Sequence, residues 1–290
     1  MTDRLAGLLR HYRLRAQVFH SGRFCGHALY DGAHGYIHLL RAGRLRVSSP
    51  LHADFALEGP CVLFYPRAAA HHFVAETGDA PDLVCAGVEL GAGAGNPLAL
   101  ALPVVTVLPL DRVPQLATLL DLLFAEAAEV HCGRQAAIDR LCELVLIHLL
   151  RYLMDEGAAE PGLLAGLADP RLARALSAMH DAPAEAWSLE SLSGVAGMSR
   201  ARFAVAFRET VGETPGAYLA GWRINVACSL LRRGRPVGLI ADAVGYGNAP
   251  ALARAFRSRL GCSPTEWAAR RGEAGASQSR QNGLSASKSA

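Results

Sequence analysis

Histidine and cysteine are the residues in this chain best suited to chemistry, and they are unevenly spread. Eight of the eleven His and three of the seven Cys lie between residues 11 and 85. Imidazole nitrogens and thiolate sulfurs are the donors that hold Zn, Cu or Fe, so the clustering raises the question of a metal. His38 and His71 are the leading pair if both project into one cavity, with His72, His34, His27 or His20 as a third ligand. Strand neighbours face opposite ways, so at most one of His71 and His72 points inward. The plainer and commoner alternative is a buried His hydrogen-bonded to backbone.

Thiols offer a second chemistry. Cys25 sits in GRFCGH beside Arg23 and His27, an electropositive, Gly-flanked setting that favours a thiolate. Cys85, in DLVCAG, is 60 residues further on and could meet it across a barrel. Cys61, Cys142 and Cys228 fall in apolar or amphipathic runs and read as buried hydrophobes.

The elements that must position these groups follow from shifts in pattern. Residues 18–108 carry short apolar runs such as CVLFYP and VCAGVEL, punctuated by DGAHG, RAGR, EGP and GDAPD. That predicts many short strands in a sandwich or barrel. From 112 to 155 the period changes. Leu116, Leu119, Leu120 and Leu123, then Leu141, Leu144, Val145, His148, Leu149 and Tyr152, recur at three and four, as in two amphipathic helices. Residues 157–170, GAAEPGLLAGLADP, read as a linker, 171 to about 270 as helical, and the polar tail 272–290 as disordered.

An internal repeat organises the C-terminal half. Phe203-AVAFRETVGETP-Gly216 and Leu252-ARAFRSRLGCSP-Thr265 match at an offset of 49. Phe203, Phe207 and Val211, like Leu252, Phe256 and Leu260, are spaced by four on one helix face. Gly212 and Gly261 follow as C-terminal caps, and Pro215 and Pro264 prevent continuation. Ser199 and Asn248 stand as N-caps, and Pro250 falls harmlessly in a first turn. Each helix is preceded by another, 189–196 and 237–244, across a Gly-containing turn. This is the helix-turn-helix pattern, present twice, with a long helix carrying Ile224, Cys228 and Leu231 between the copies. Two such heads suit major-groove segments about 34 Å apart.

The residues from Pro170 to Arg271 resemble the AraC/XylS class of bacterial transcription regulators. The match is carried by Trp187-Ser-Leu-Glu-Ser-Leu, Gly197-Met-Ser-Arg, Phe203 and Phe207, Gly212, Pro215, Tyr218 and Trp222-Arg-Ile. A second block adds Ile240-Ala, Val244-Gly-Tyr, Phe256-Arg, Gly261, Pro264 and Trp267. The resemblance implies a DNA-binding regulator, here read as an activator, with promoter double-stranded DNA and RNA polymerase as partners and no catalytic residue in this half. The helix starts and the faces opposite the Phe residues nominate Arg200, Arg202, Ala204, Val205 and Arg208 in the first head. In the second they nominate Asn248, Ala249, Ala251, Arg254 and Arg257. Arg254 stands where the family commonly places a base-contacting Arg, the usual partner of guanine. Arg202 and Arg257 read as phosphate contacts.

Gly59-PCVLFYPRAAA-His71 resembles the second half-motif of cupin barrels, and His34-GYI-His38 with Gly43 more faintly the first. The resemblance implies a small barrel with a ligand cavity. Cupin-headed relatives include oxidant-responsive regulators, which implies Cys25 as an oxidised thiol resolved by Cys85. A small organic ligand is the rival signal, and a cupin metalloenzyme with a helical appendage is the rival function.

Net charge fits the division. The total of +3 hides −5 over 1–169 and +7 over 170–271, as expected when one half meets a polyanion. No uncharged apolar run is long enough to span a membrane, and the charged start is no secretory signal. The expectation is therefore an α+β, cytoplasmic, homodimeric protein that is not an enzyme. It would comprise a cupin-like sensor at 1–110, a helical dimerisation pair at 111–156, a linker at 157–169, a double helix-turn-helix domain at 170–271 and the tail.

Overall fold

Runs of β-branched and aromatic residues between Gly, Pro and Asp turns make strands of the N-terminal half. These are β1 (Leu14–Arg23), β2 (His27–Asp31), β3 (Gly35–Ala42), β4 (Arg44–Ser49), β5 (His52–Glu58), β6 (Cys61–Tyr65), β7 (Ala70–Val74), β8 (Asp82–Leu90) and β9 (Thr106–Pro109). The computed structural model describes residues 3–12, 14–75, 80–91, 97–156 and 161–269. The chain divides into one unit spanning Leu8–Pro170 and another that begins at Arg171 and takes in the stretch before Leu8.

In the first unit one sheet runs β1-β8-β3-β6-β9 and the second β2-β7-β4-β5. Every pairing is antiparallel. Strand β6 is buried along its whole length and β3 for its first six residues, so both lack the alternation of a strand wetted on one side. One face of their sheet packs on the second sheet through Tyr36, Leu40, Leu63, Tyr65, Cys85, Val47, Leu57 and Phe73. The β3–β4 turn depends on Gly43, whose φ is +91° and whose missing Cβ would lie 2.6 Å from the Pro81 Cα.

Helices α1 (Ala6–His11), α2 (Pro97–Ala101), α3 (Pro114–Ala128), α4 (Arg134–Asp155) and α5 (Leu163–Ala168) accompany the sheets. Edge strand β1 has a bulge between Val18 and His20. Its freed backbone groups are claimed by α4: the Val18 N–H donates to Asp139 Oδ1 at 2.8 Å, and Gln135 Nε2 donates to the Val18 carbonyl at 2.9 Å.

Three expectations need correction in detail. The buried stripe of α4 is Ile138, Cys142, Val145, Leu146, Leu149, Leu150 and Met154. It is rotated from the expected stripe, and Leu144 is 37% exposed. Leu141, His148 and Tyr152 are only half-buried. The sheet meets α4 through the Asp139 side, which fixes the rotation. Second, the expected linker at 157–169 contains α5, whose Leu163, Leu164 and Leu167 are buried, so apolar burial outweighs the loop-like Gly/Ala/Pro composition there. Its residues 157–160, like the tail 272–290, lie outside the described residues. Third, Leu260 is 39% exposed whereas its repeat partner Val211 is buried. Val211 is followed by a long helix that covers it, and Leu260 has no such successor among the described residues.

The second unit is helical: α6 (Pro170–Asp181), α7 (Leu189–Ala196), α8 (Arg200–Val211), α9 (Pro215–Arg232), α10 (Val237–Ala243) and α11 (Ala249–Leu260). Ser188 and Ser191 form a reciprocal capping box on α7, and Thr214 accepts from the Ala217 N–H to start α9. Helix α9, about 27 Å long at 1.5 Å per residue, packs on α8, α10 and α11 and is the shared spine of both helix pairs. Its Ile224 and Cys228 are buried as expected, and His180 and Tyr218 meet at 2.6 Å beside Trp222. Among the described residues no helix is long and apolar enough to cross a membrane.

Candidate nucleic-acid interface and sensor core

Each helix pair turns on a glycine with positive φ, where a side chain would be strained. Gly197 (φ +65°) closes α7, with the Met198 N–H returned to the Ser193 carbonyl at 3.0 Å. Gly245 (φ +76°) follows α10, and a Cβ there would lie 2.7 Å from the Ala184 carbonyl oxygen. The N-cap residues behave differently. Asn248 Oδ1 accepts from the Ala251 N–H at 2.9 Å, whereas Ser199 has N-cap backbone geometry and no side-chain cap bond. Asn248 Oδ1 therefore gives one of its two lone pairs to the cap, and its NH₂ stays open to solvent.

Phe203 and Phe207 on α8, and Leu252 and Phe256 on α11, are fully buried. The opposite faces carry the nominated residues. Arg200, Arg202, Arg208, Arg254, Arg257, Asn248 and Val205 are exposed, while Ala204, Ala249 and Ala251 are half-buried. None of those five guanidinium groups has an ion-pair or hydrogen-bond partner among the described residues. Arg259, which was not nominated, is instead held 3.5 Å from Glu213. The fold thus presents free cations on the faces of α8 and α11 that lie away from the buried Phe residues, while Arg259 is paired with Glu213. Such a surface can neutralise phosphates and place a guanidinium against base edges.

The first unit buries its chemistry. His20, Cys85 and His38 lie in one row across β1, β8 and β3, because His20 and His38 both pair with Cys85. His71 comes from the opposing sheet, and its Nε2 is 2.8 Å from His38 Nε2. The two side chains are 1% and 2% exposed. Tyr30 and Tyr65 stack on the His71 ring, each 4.4 Å away between centroids. Proton positions follow from the acceptors. His71 Nδ1 is 2.9 Å from the Ala69 carbonyl, which can only accept, so His71 carries its proton on Nδ1. His38 must then donate from Nε2 to His71 Nε2, which leaves His38 Nδ1 as a buried acceptor without a partner. Burial holds His38 well below the usual imidazole range and His71 down at about 4.

Metal-ligand and thiol expectations fare differently here. Sequence reasoning did pair His38 with His71, but their nitrogens stand at hydrogen-bond distance with one proton between them. Tetrahedral zinc would need them about 3.3 Å apart and would need further donors. Among the described residues no group of three or more His, Cys, Asp or Glu is arranged to hold a metal ion. His27 and His34 are exposed, and His72 faces away from His71 toward His27, 5.9 Å between ring centroids. Among the described residues the pair therefore stands alone, with no third His, Cys, Asp or Glu grouped beside it to hold a metal ion. Cys25 and Cys85 are not brought together. Cys25 is exposed beyond the end of β1; Cys85 is fully buried, 3.5 Å from the Tyr30 hydroxyl, with its thiol pushed up to about 12 by burial. Cys61 and Cys142 are buried hydrophobes as expected. Sequence reasoning missed Tyr30, Tyr65 and Asp139, whose roles depend on strand pairing and helix rotation.

Comparison with known proteins agrees with this division. A family model described as a cupin matches residues 3–155, and one described as a helix-turn-helix domain matches 192–270. A chain described as an AraC-like transcription regulator in Streptomyces lividans is 35% identical over 207 residues, which is 69% of this chain and 68% of that relative. The RCS-specific HTH-type transcriptional activator RclR of Escherichia coli K12 is 28% identical over 79% of this chain and 82% of its own length. Among solved structures, the DNA-binding domain of AdpA, a global transcriptional factor crystallised with a target DNA, is 31% identical over 35% of this chain and 92% of its own, at a TM-score of 0.34. The paired helix-turn-helix units, the β-sandwich ahead of them, the two family models and the S. lividans relative together place the chain in the AraC family of DNA-binding transcription regulators that carry a cupin-type N-terminal domain.

Proposed function

We propose that the chain is a cytoplasmic activator that binds promoter DNA as a homodimer, and that its cupin-type unit senses a small molecule. The observation that carries the DNA contacts is the set of unpaired Arg on the outer faces of α8 and α11. Arg254 reads a base, Arg200 and Arg208 flank the first head, and Arg202 and Arg257 hold phosphates. Ala204, Val205, Ala249 and Ala251 offer apolar contact to thymine methyls, and Asn248 offers its NH₂. In gel shifts on the promoter region upstream of its own gene, Arg254→Ala weakens specific binding by about 1–3 kcal/mol, roughly 5- to 150-fold. Binding equal to wild type would remove Arg254 from the interface.

The dimer reading rests on the rotated face of α4. Leu141, Leu144, His148 and Tyr152 form a half-exposed seam that the sheet does not cover, and Leu122 of α3 is 54% exposed. A second copy covers this seam. Sedimentation of the full chain should show a dimer, and Leu144→Arg should give a folded monomer; a variant that stays dimeric places the interface elsewhere. Activation through RNA polymerase is supported by the E. coli relative's name as an activator. Transcription with purified polymerase tests it, and a fall in transcript on adding the protein would reverse the sign. The oxidant reading loses its resolving thiol, because Cys85 would have to leave the core to reach Cys25.

A further inference from the structure

Outside the His38–His71 core, a cleft of about 490 Å³ opens where the start of β6 and the turn Leu110–Arg112 meet α3. Its volume falls in the ~300–1,000 Å³ range that drug-sized ligands occupy. The walls are mostly apolar: Pro60, Leu110, Pro114, Ala117, Leu120 and Phe124. The charged groups at its edge do not balance. Arg41 is already committed, paired with Asp82 and with its guanidinium carbon 4.8 Å from the centre of the Phe124 ring. Asp111 and Asp121 also line the cleft, are exposed, and have no ion-pair or hydrogen-bond partner among the described residues.

An organic anion entering this cleft would face two free carboxylates and would have to pull Arg41 from Asp82 and Phe124. A cation meets the opposite situation, with apolar walls for its body and two unpaired carboxylates for its charge. We propose that the cleft binds an amphipathic organic cation, with its body against Leu110, Leu120 and Phe124 and its charge toward Asp111 and Asp121. The occupant touches both the sandwich and α3, and α3 packs on α4. Binding would therefore change how the helical pair is held, a consequence that rests on the sensor and dimer readings above.

The test is calorimetric titration of the full chain at low salt with 4-phenylbutyltrimethylammonium and with 5-phenylpentanoate, which are similar in size and opposite in charge. One cation binds per chain, about tenfold tighter than the anion. Asp111→Asn combined with Asp121→Asn, both at exposed positions, removes most of that preference. Ala117→Trp fills the cleft and abolishes binding; its helical circular dichroism shows whether it has folded, and the double Asn variant decides the matter if it has not. No cation binding, equal binding of the anion, or a preference that survives the double Asn change would each overturn the proposal. Operator binding measured on the same samples is independent of these outcomes, so failure of the cleft leaves the regulator reading standing.

Discussion

Phe207→Ala destabilises the DNA-binding unit by about 3–5 kcal/mol, a large share of a small domain's total stability. Phe207 is fully buried on the back of α8, with its ring 5.5 Å from Phe203 and 5.8 Å from Tyr218 between centroids. Truncation removes the ring's burial and leaves a cavity between α8 and α9, the two helices that set the first head. Val205, two residues earlier on the same helix, is 57% exposed, and Val205→Ala should change stability by under about 0.5 kcal/mol. The three Trp residues of the chain are Trp187, Trp222 and Trp267, all in this unit. Urea melts followed by Trp fluorescence therefore report on it selectively, even though a two-unit chain need not unfold in one step. A Phe207→Ala midpoint matching that of Val205→Ala would mean that α8 is not seated through its Phe face. Operator binding should fall with the melt.

Local rules made the DNA-binding unit legible before its structure was known. Helix starts, Gly stops and Phe spacing all act within a dozen residues, so α7, α8, α10 and α11 lie within a residue of their expected bounds. The repeat then supplied the pairing of the helices. The cupin-type unit was legible at the level of class, since its strands and their punctuation are local too. What escaped was set by contacts between distant segments. The exposed and buried faces of α4 depend on Asp139 meeting a bulge at Val18, 121 residues away, and both candidate faces carry enough Leu to serve. Leu163, Leu164 and Leu167 lay in a stretch whose Gly, Ala and Pro content reads as a loop until α2 and α4 cover it. His38 and His71 could be nominated because each falls in a half-motif that resembles a cupin's. Whether they would bind a metal or each other depended on a separation that sequence does not encode locally.

Acidification should destabilise the cupin-type unit, and the His38–His71 pair is the reason. In an unfolded chain both imidazoles titrate near 6.5. In the fold His71 is held down at about 4 and His38 well below its usual range, chiefly by burial. Below pH 6.5 the unfolded chain therefore takes up protons that the folded one refuses, and stability falls as pH falls, mainly between 6.5 and 4. The His71 shift alone corresponds to about 3 kcal/mol at ~1.4 kcal/mol per unit, and His38 acts in the same direction. His148 on α4, lowered by partial burial and by Arg151, adds a smaller effect of the same sign. The hydrogen bonds explain why the fold cannot absorb the proton. His71 Nδ1–H is given to Ala69, and His38 Nε2–H is given to His71. The one lone pair left is His38 Nδ1, where a new N–H would be charged, buried and without an acceptor. Urea melts followed by near-ultraviolet circular dichroism, to which Tyr30, Tyr36 and Tyr65 contribute, should show this loss from pH 6.5 to 4. His38→Leu combined with His71→Leu removes both imidazoles together and leaves only the Ala69 carbonyl without its donor, so stability at pH 7.5 falls by about 1–3 kcal/mol. That double variant should also lose most of the acid slope. A wild-type stability that stays flat to pH 4, or a slope that persists without either imidazole, would assign the acid response to other groups.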